Sequence, residues 1–181
     1  TVNDFTADLN DDTRVEIEVS SVYLQDEMAI TDYLDVVLGA RFDQFEIDVF
    51  NVPASDARSK QDEEISPRLG VVYKPVENMS LYISYSESFL PRSGEQFANI
   101  NGSKGQLDAD TFSNSEVGFK WDLSPNLSFT AAAFEIEQES PQVADNDPST
   151  LDVIESEIDG FEIQLQGQVN EAWYLSAAYS Y

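Results

Sequence analysis

The stretch Ser80–Ser93, SLYISYSESFLPRS, decides how the chain is read. Leu81, Ile83 and Tyr85 alternate with Tyr82, Ser84 and Ser86, the period of two that sets apolar groups on one face of a β-strand and polar groups on the other. A tight turn, Lys74-Pro75-Val76-Glu77-Asn78, leads into it, and a long polar segment from Leu90 to Thr111 leads out. One end of the unit is pinched and the other is loose. The unit repeats along the chain.

Working back from it, Leu69, Val71 and Tyr73 form the incoming strand of a hairpin over Ile65–Phe89. Before that, Arg14–Ile30 and Leu34–Asn51 flank the short connection Thr31-Asp32-Tyr33, and Val52–Glu64 is expected to be a long polar loop. In the first of these strands the apolar phase slips at Ser20-Ser21, from Val15, Ile17 and Val19 to Val22 and Leu24. A β-bulge or a passage between two environments would leave that trace. Working forward, Val117, Phe119 and Trp121 alternate toward the turn Ser124-Pro125-Asn126, and Leu127, Phe129 and Ala131 alternate away from it. Ser140–Glu155 reads as another long loop. The last hairpin turns at Asn170-Glu171-Ala172.

The expected fold is therefore all-β: about eight long strands in four antiparallel hairpins, an up-and-down barrel of the transmembrane type. Strands of roughly 9–11 tilted residues cross a bilayer. Short turns at one end and long loops at the other are the layout of outer-membrane barrels. Aromatics near strand ends (Tyr23, Tyr33, Tyr73, Tyr82, Trp121, Phe129, Trp173, Tyr179) suit interfacial girdles. Alternation alone does not say which face is outermost, so a soluble or secreted small barrel with an inward apolar face stays open as the alternative.

Composition narrows the chemistry. With 35 acidic and 9 basic residues the formal net charge is −26, a poor match for nucleic acid or an anionic membrane surface. Absence of Cys and His removes thiolate sites, disulfides, the commonest general base and any Ser-His-Asp arrangement. No catalytic, cofactor or metal site is expected. Asp145-Asn146-Asp147 lacks the Gly and Glu that an EF-hand loop needs, with Thr150 and Ser156 in their places. Pairs such as Asp108 and Asp110 arise by chance among so many acids. Arg68 and Lys74 are expected to neutralise carboxylates of the lumen or rim.

The segments SPRLGVVYKPVENMSLYISYSESFLPRSGEQF (Ser66–Phe97), FSNSEVGFKWDLSPNLSFTAAAFEIEQ (Phe112–Gln138), Val22–Asp48 and Ile158–Tyr181 resemble TonB-dependent outer-membrane receptors, especially the siderophore-receptor branch. The resemblance implies a bacterial outer-membrane barrel that binds ferric siderophores or similar scarce nutrients at its extracellular face. It further implies lipid around the barrel and import energised through the TonB protein. Residues 1–181 then correspond to a middle portion of the barrel without the plug domain, TonB being reached through other parts of the parent. Arg92, Gln96, Phe97 and Lys104, on the longest loop, are the candidate ligand contacts. Alone, such a portion is expected either to close as a small barrel or to form a curved sheet paired through its edges.

Overall fold

The computed structural model describes residues 12–91, 108–143 and 151–181. Eight strands form one antiparallel sheet in strict sequence order: β1 Thr13–Thr31, β2 Leu34–Asn51, β3 Asp56–Val76, β4 Met79–Leu90, β5 Asp110–Ser124, β6 Leu127–Val143, β7 Leu151–Asn170 and β8 Trp173–Ser180. No ladder joins β1 to β8, so the sheet is open and the small closed barrel is not formed.

The short turns are held by their own side chains, as turn-forming Asn, Ser and Thr allow. Thr31 Oγ1 accepts from the Tyr33 N–H, and Asn170 Oδ1 accepts from the N–H groups of Ala172 and Trp173. Asn78 Nδ2 donates to the Asp122 carbonyl, tying one hairpin turn to the next strand. Near the last turn Gly167 has φ +143°, and a Cβ there would lie 2.0 Å from the Asn126 carbonyl oxygen. Only glycine fits this position.

At the opposite end the strands run further than alternation suggests. Val52–Glu64 is not a loop: Asn51 is followed by a tight turn and β3 resumes at Asp56. Here both faces of β3 are polar, so regular pairing leaves no contrast in the sequence. Its 21 residues, at about 3.3 Å each and tilted near 45°, rise about 50 Å against a hydrocarbon core of about 30 Å.

Register explains the phase slip in β1. Pairing runs unbroken from Thr13↔Asn51 to Ala29↔Asp35, so Ser20-Ser21 is not a bulge. Residues directly opposite in an antiparallel pair share a face. On one face, near the short turns, Val22, Leu24, Leu38, Phe42, Ile65, Leu69, Val71, Ile83, Val117, Phe119, Ala131, Ile163 and Leu165 make a continuous apolar belt, which Asp26 alone interrupts on β1. Further from the turns the same face becomes polar: Glu18, Glu46, Glu63, Glu87, Glu135 and Asp159 begin the polar zone. Three rungs there oppose like charges directly, Glu135↔Asp159, Glu137↔Glu157 and Glu139↔Glu155.

The other face does the reverse. Near the turns it carries Asp35, Arg41, Asp43, Arg68, Glu116, Lys120, Glu162 and Gln164; beyond them come Val15, Ile17, Phe45, Ile47, Val49 and Ile136. Thus the phase slip is the passage between environments, and it falls at the same level in neighbouring strands. Tyr23 and Tyr82 lie on this second face and so stand outside the girdles, whereas Tyr73, Trp121 and Phe129 sit at the turn end of the belt.

Belt residues do not converge on a shared dry interior: Leu24, Ile65, Ile83 and Val117 are all more than half exposed. The buried apolar cluster is instead Phe45, Ile47, Val49 and Ala109, with Phe89 stacked on Phe45 at 5.6 Å. It closes the second face where the strands extend past the belt.

Candidate functional site

The second face near the turns is where charged and hydrogen-bonding groups gather. On β2, Arg41 and Asp43 are two residues apart and so point the same way. Register brings Ser21 of β1 beside them, opposite Asp43. Arg41 donates through Nε (2.9 Å) and pairs through Nη2 (2.8 Å) with Asp43 Oδ1, and Nη2 reaches Ser21 Oγ at 3.0 Å. Ser21 Oγ also donates to Asp43 Oδ1 at 2.5 Å. The Asp43 side chain is 1% exposed and that of Arg41 55%, so the carboxylate is an anchor and the guanidinium presents its outer edge. Asp43 Oδ2 is buried and has no hydrogen-bond partner among the described residues.

Across from Asp43 on β3 lies Glu64. Lys60 pairs with Asp62 at 2.6 Å. Lower on the wall Lys74 pairs with Asp35, as its sequence context suggests. Arg68 differs from that expectation: among the described residues it forms no ion pair. It stands opposite Gly39 on β2 and Ser86 on β4.

Further round, small residues make room for large ones. The Tyr82 ring lies over Gly118, where a Cβ would come within 2.6 Å of it, and Phe134 lies over Gly160 in the same way. Tyr82 donates its hydroxyl to Glu116 Oε1 at 2.6 Å. The result is a polar wall with glycine-floored recesses. No group of three or more His, Cys, Asp and Glu arranged to hold a metal occurs among the described residues.

The sequence-derived ligand contacts Arg92, Gln96, Phe97 and Lys104 lie outside the described residues, as do Asp145, Asn146 and Asp147. The cluster of Ser21, Arg41 and Asp43 was not marked by sequence reasoning, because its members come together only through the β1–β2 register. A basic residue two positions from an acid on one parity is the signal that was there to find.

An open antiparallel sheet with an apolar belt outside, a polar wall on the reverse and strands longer than a bilayer is thick defines a section of a membrane β-barrel. The match to known proteins is specific. All of residues 1–181 fit the family model described as TonB dependent receptor-like, beta-barrel. The chain belongs to that family, whose members are outer-membrane β-barrel proteins.

Among curated proteins it is 33% identical over 175 residues to the probable TonB-dependent siderophore receptor PiuA of Acinetobacter baumannii, covering 91% of this chain and 24% of the relative. It is 27% identical to the metal-pseudopaline receptor CntO of Pseudomonas aeruginosa, covering 95% of this chain and 25% of that protein. The crystal structure of the siderophore receptor PiuA from A. baumannii superposes with a TM-score of 0.81 at 32% identity, over 94% of this chain and 26% of the other. The outer-membrane receptor FauA of Bordetella pertussis shares the fold at a TM-score of 0.80 and 20% identity, covering 93% and 30%. The chain thus spans about a quarter of the length of the curated relatives it matches.

Proposed function

We propose that this chain is a section of the wall of an outer-membrane receptor that imports ferric siderophores, or a similar scarce nutrient, with energy supplied through TonB. The observation that carries the reading is the inversion of polarity at one level across the strands. An apolar belt against lipid acyl chains, a charged zone above it and a hydrogen-bonding reverse face form the cross-section of a water-filled passage through a bilayer. Membership of the receptor family and the named siderophore receptors among its relatives support the cargo.

On this reading residues 1–181 are part of the barrel domain and the function is transport rather than catalysis. Arg92, Gln96, Phe97 and Lys104 contact the ligand from the segment between β4 and β5, on the side away from the short turns. Nucleic acid is not a partner, since 35 acids against 9 bases repel phosphate. Nothing in the described sheet favours the soluble alternative, because the belt stays exposed instead of enclosing a core.

The test is uptake of radiolabelled iron by a receptor-deficient Gram-negative strain expressing the full-length protein and offered a panel of ferric chelates. Uptake of at least one chelate, lost when tonB is deleted, is the expected result. Equal uptake with and without tonB would overturn the proposal.

A further inference from the structure

The strands sort their charges by face. Among the described residues of β2 to β7, Arg41, Arg58, Lys60, Arg68, Lys74 and Lys120 all fall on the parity of the polar wall. The outward parity of the same strands carries no Lys or Arg, and its charged groups, from Glu46 and Glu63 to Glu135 and Asp159, are all carboxylates.

Beneath that acidic collar, between β3 and β6, the outward belt is not smooth. A groove of ≈ 420 Å³ runs along Leu69, Val71, Ile83 and Val117 and ends against Glu135. Its shape follows from side-chain size. Register puts Ile83, Val117, Ala133 and Phe161 on one rung, and Tyr85, Ser115 and Glu135 on the next, so small Ala133 and Ser115 make a floor between larger neighbours. Tyr85 donates its hydroxyl at 2.6 Å to Glu87, two residues further along the same face of β4. Its ring therefore lies along the strand and not across Ser115.

An apolar recess gives water no hydrogen-bond partners, so hydrocarbon is its natural filling. At its upper end the local charge is anionic throughout, which repels a phosphate and holds a cation. An ammonium group, with three N–H donors, can bond several carboxylate oxygens at once.

We infer that this groove seats an acyl chain of a membrane lipid whose headgroup bears a primary amine, the ammonium lying against Glu135. The seat rests on the membrane reading above; the all-acid collar selects the amine.

The test is native mass spectrometry of the full-length receptor in detergent micelles, offered phosphatidylethanolamine, phosphatidylcholine and phosphatidylglycerol with identical chains. Phosphatidylethanolamine should be retained several-fold more than phosphatidylglycerol, with phosphatidylcholine, which has the charge but no N–H, between them. Ala133→Trp, which fills the floor from an exposed position, should lose that retention, and Leu165→Trp, in the belt away from the groove, should keep it. Glu135→Lys should reverse the order of the ethanolamine and glycerol lipids.

Equal retention of the two by the unaltered receptor overturns the seat. So does retention unmoved by Ala133→Trp or by Glu135→Lys. Phosphatidylglycerol held only while magnesium is present also overturns it, in favour of a metal-bridged phosphate. Retention as expected, in a receptor that shows no tonB-dependent iron uptake, would uphold the seat and sink the import reading; uptake without lipid preference would do the reverse.

Discussion

The two halves of the sheet, turn-proximal and turn-distal, share strands, register and topology but have opposite insides. Near the turns the apolar residues Leu38, Val71, Ile83 and Ile163 face outward and the charged ones inward. Past Phe42, Ile65 and Ala133 the order flips, and Phe45, Ile47 and Val49 pack inward while Glu46, Glu137 and Glu157 face out. The same backbone thus obeys two solvents. Lipid rewards outward apolar groups in one half, and water drives them inward in the other.

The largest effect is expected at the one dry cluster that the described residues form in the turn-distal half. Phe45→Ala removes the ring stacked on Phe89 and leaves a cavity among Ile47, Val49 and Ala109; a cost of about 3 kcal/mol is expected. Urea titration of the full-length receptor in lipid vesicles would measure it, and a change below about 1 kcal/mol would show that the cluster is not a core.

The next comparison sets one substitution at two levels of the same outward face. Ile83→Arg, in the belt, should destabilise by about 2–4 kcal/mol, whereas Glu137→Arg, in the charged zone, should change stability by less than about 1 kcal/mol in either direction. Equal losses at both positions would erase the boundary drawn between the halves.

Gly167→Ala probes the turn-proximal end, where positive φ and the Asn126 carbonyl leave no room for a methyl group. A loss of about 1–3 kcal/mol is expected in the same titration. A neutral result would mean that the strand end relaxes at no cost.

Much of this was legible in the sequence. Asn78, Pro125 and Asn170 mark turns by their own chemistry, and alternation between them leaves one strand reading. What alternation could not reveal is regular structure whose two faces are both polar, so Asp56–Glu64, within the expected loop Val52–Glu64, looked like a loop. The slip at Ser20-Ser21 was visible, but choosing between a bulge and a change of surroundings required the partner strand. For the site, Arg41 and Asp43 were neighbours on one parity, yet Ser21 and Arg68 join them only across ladders. The aromatic count near strand ends misassigned Tyr23 and Tyr82 because proximity to an end says nothing of which face a ring occupies.

The rungs Glu135↔Asp159, Glu137↔Glu157 and Glu139↔Glu155 place six carboxylates in directly opposed pairs on the exterior of β6 and β7. Their mutual repulsion acts through water and is therefore set by the surrounding electrolyte, whose screening length shrinks from about 30 Å at 0.01 M to about 8 Å at physiological strength. The outer rim of this barrel wall is accordingly tightened by salt and loosened by dilution, a mechanical property written into side chains that stand beyond the apolar belt.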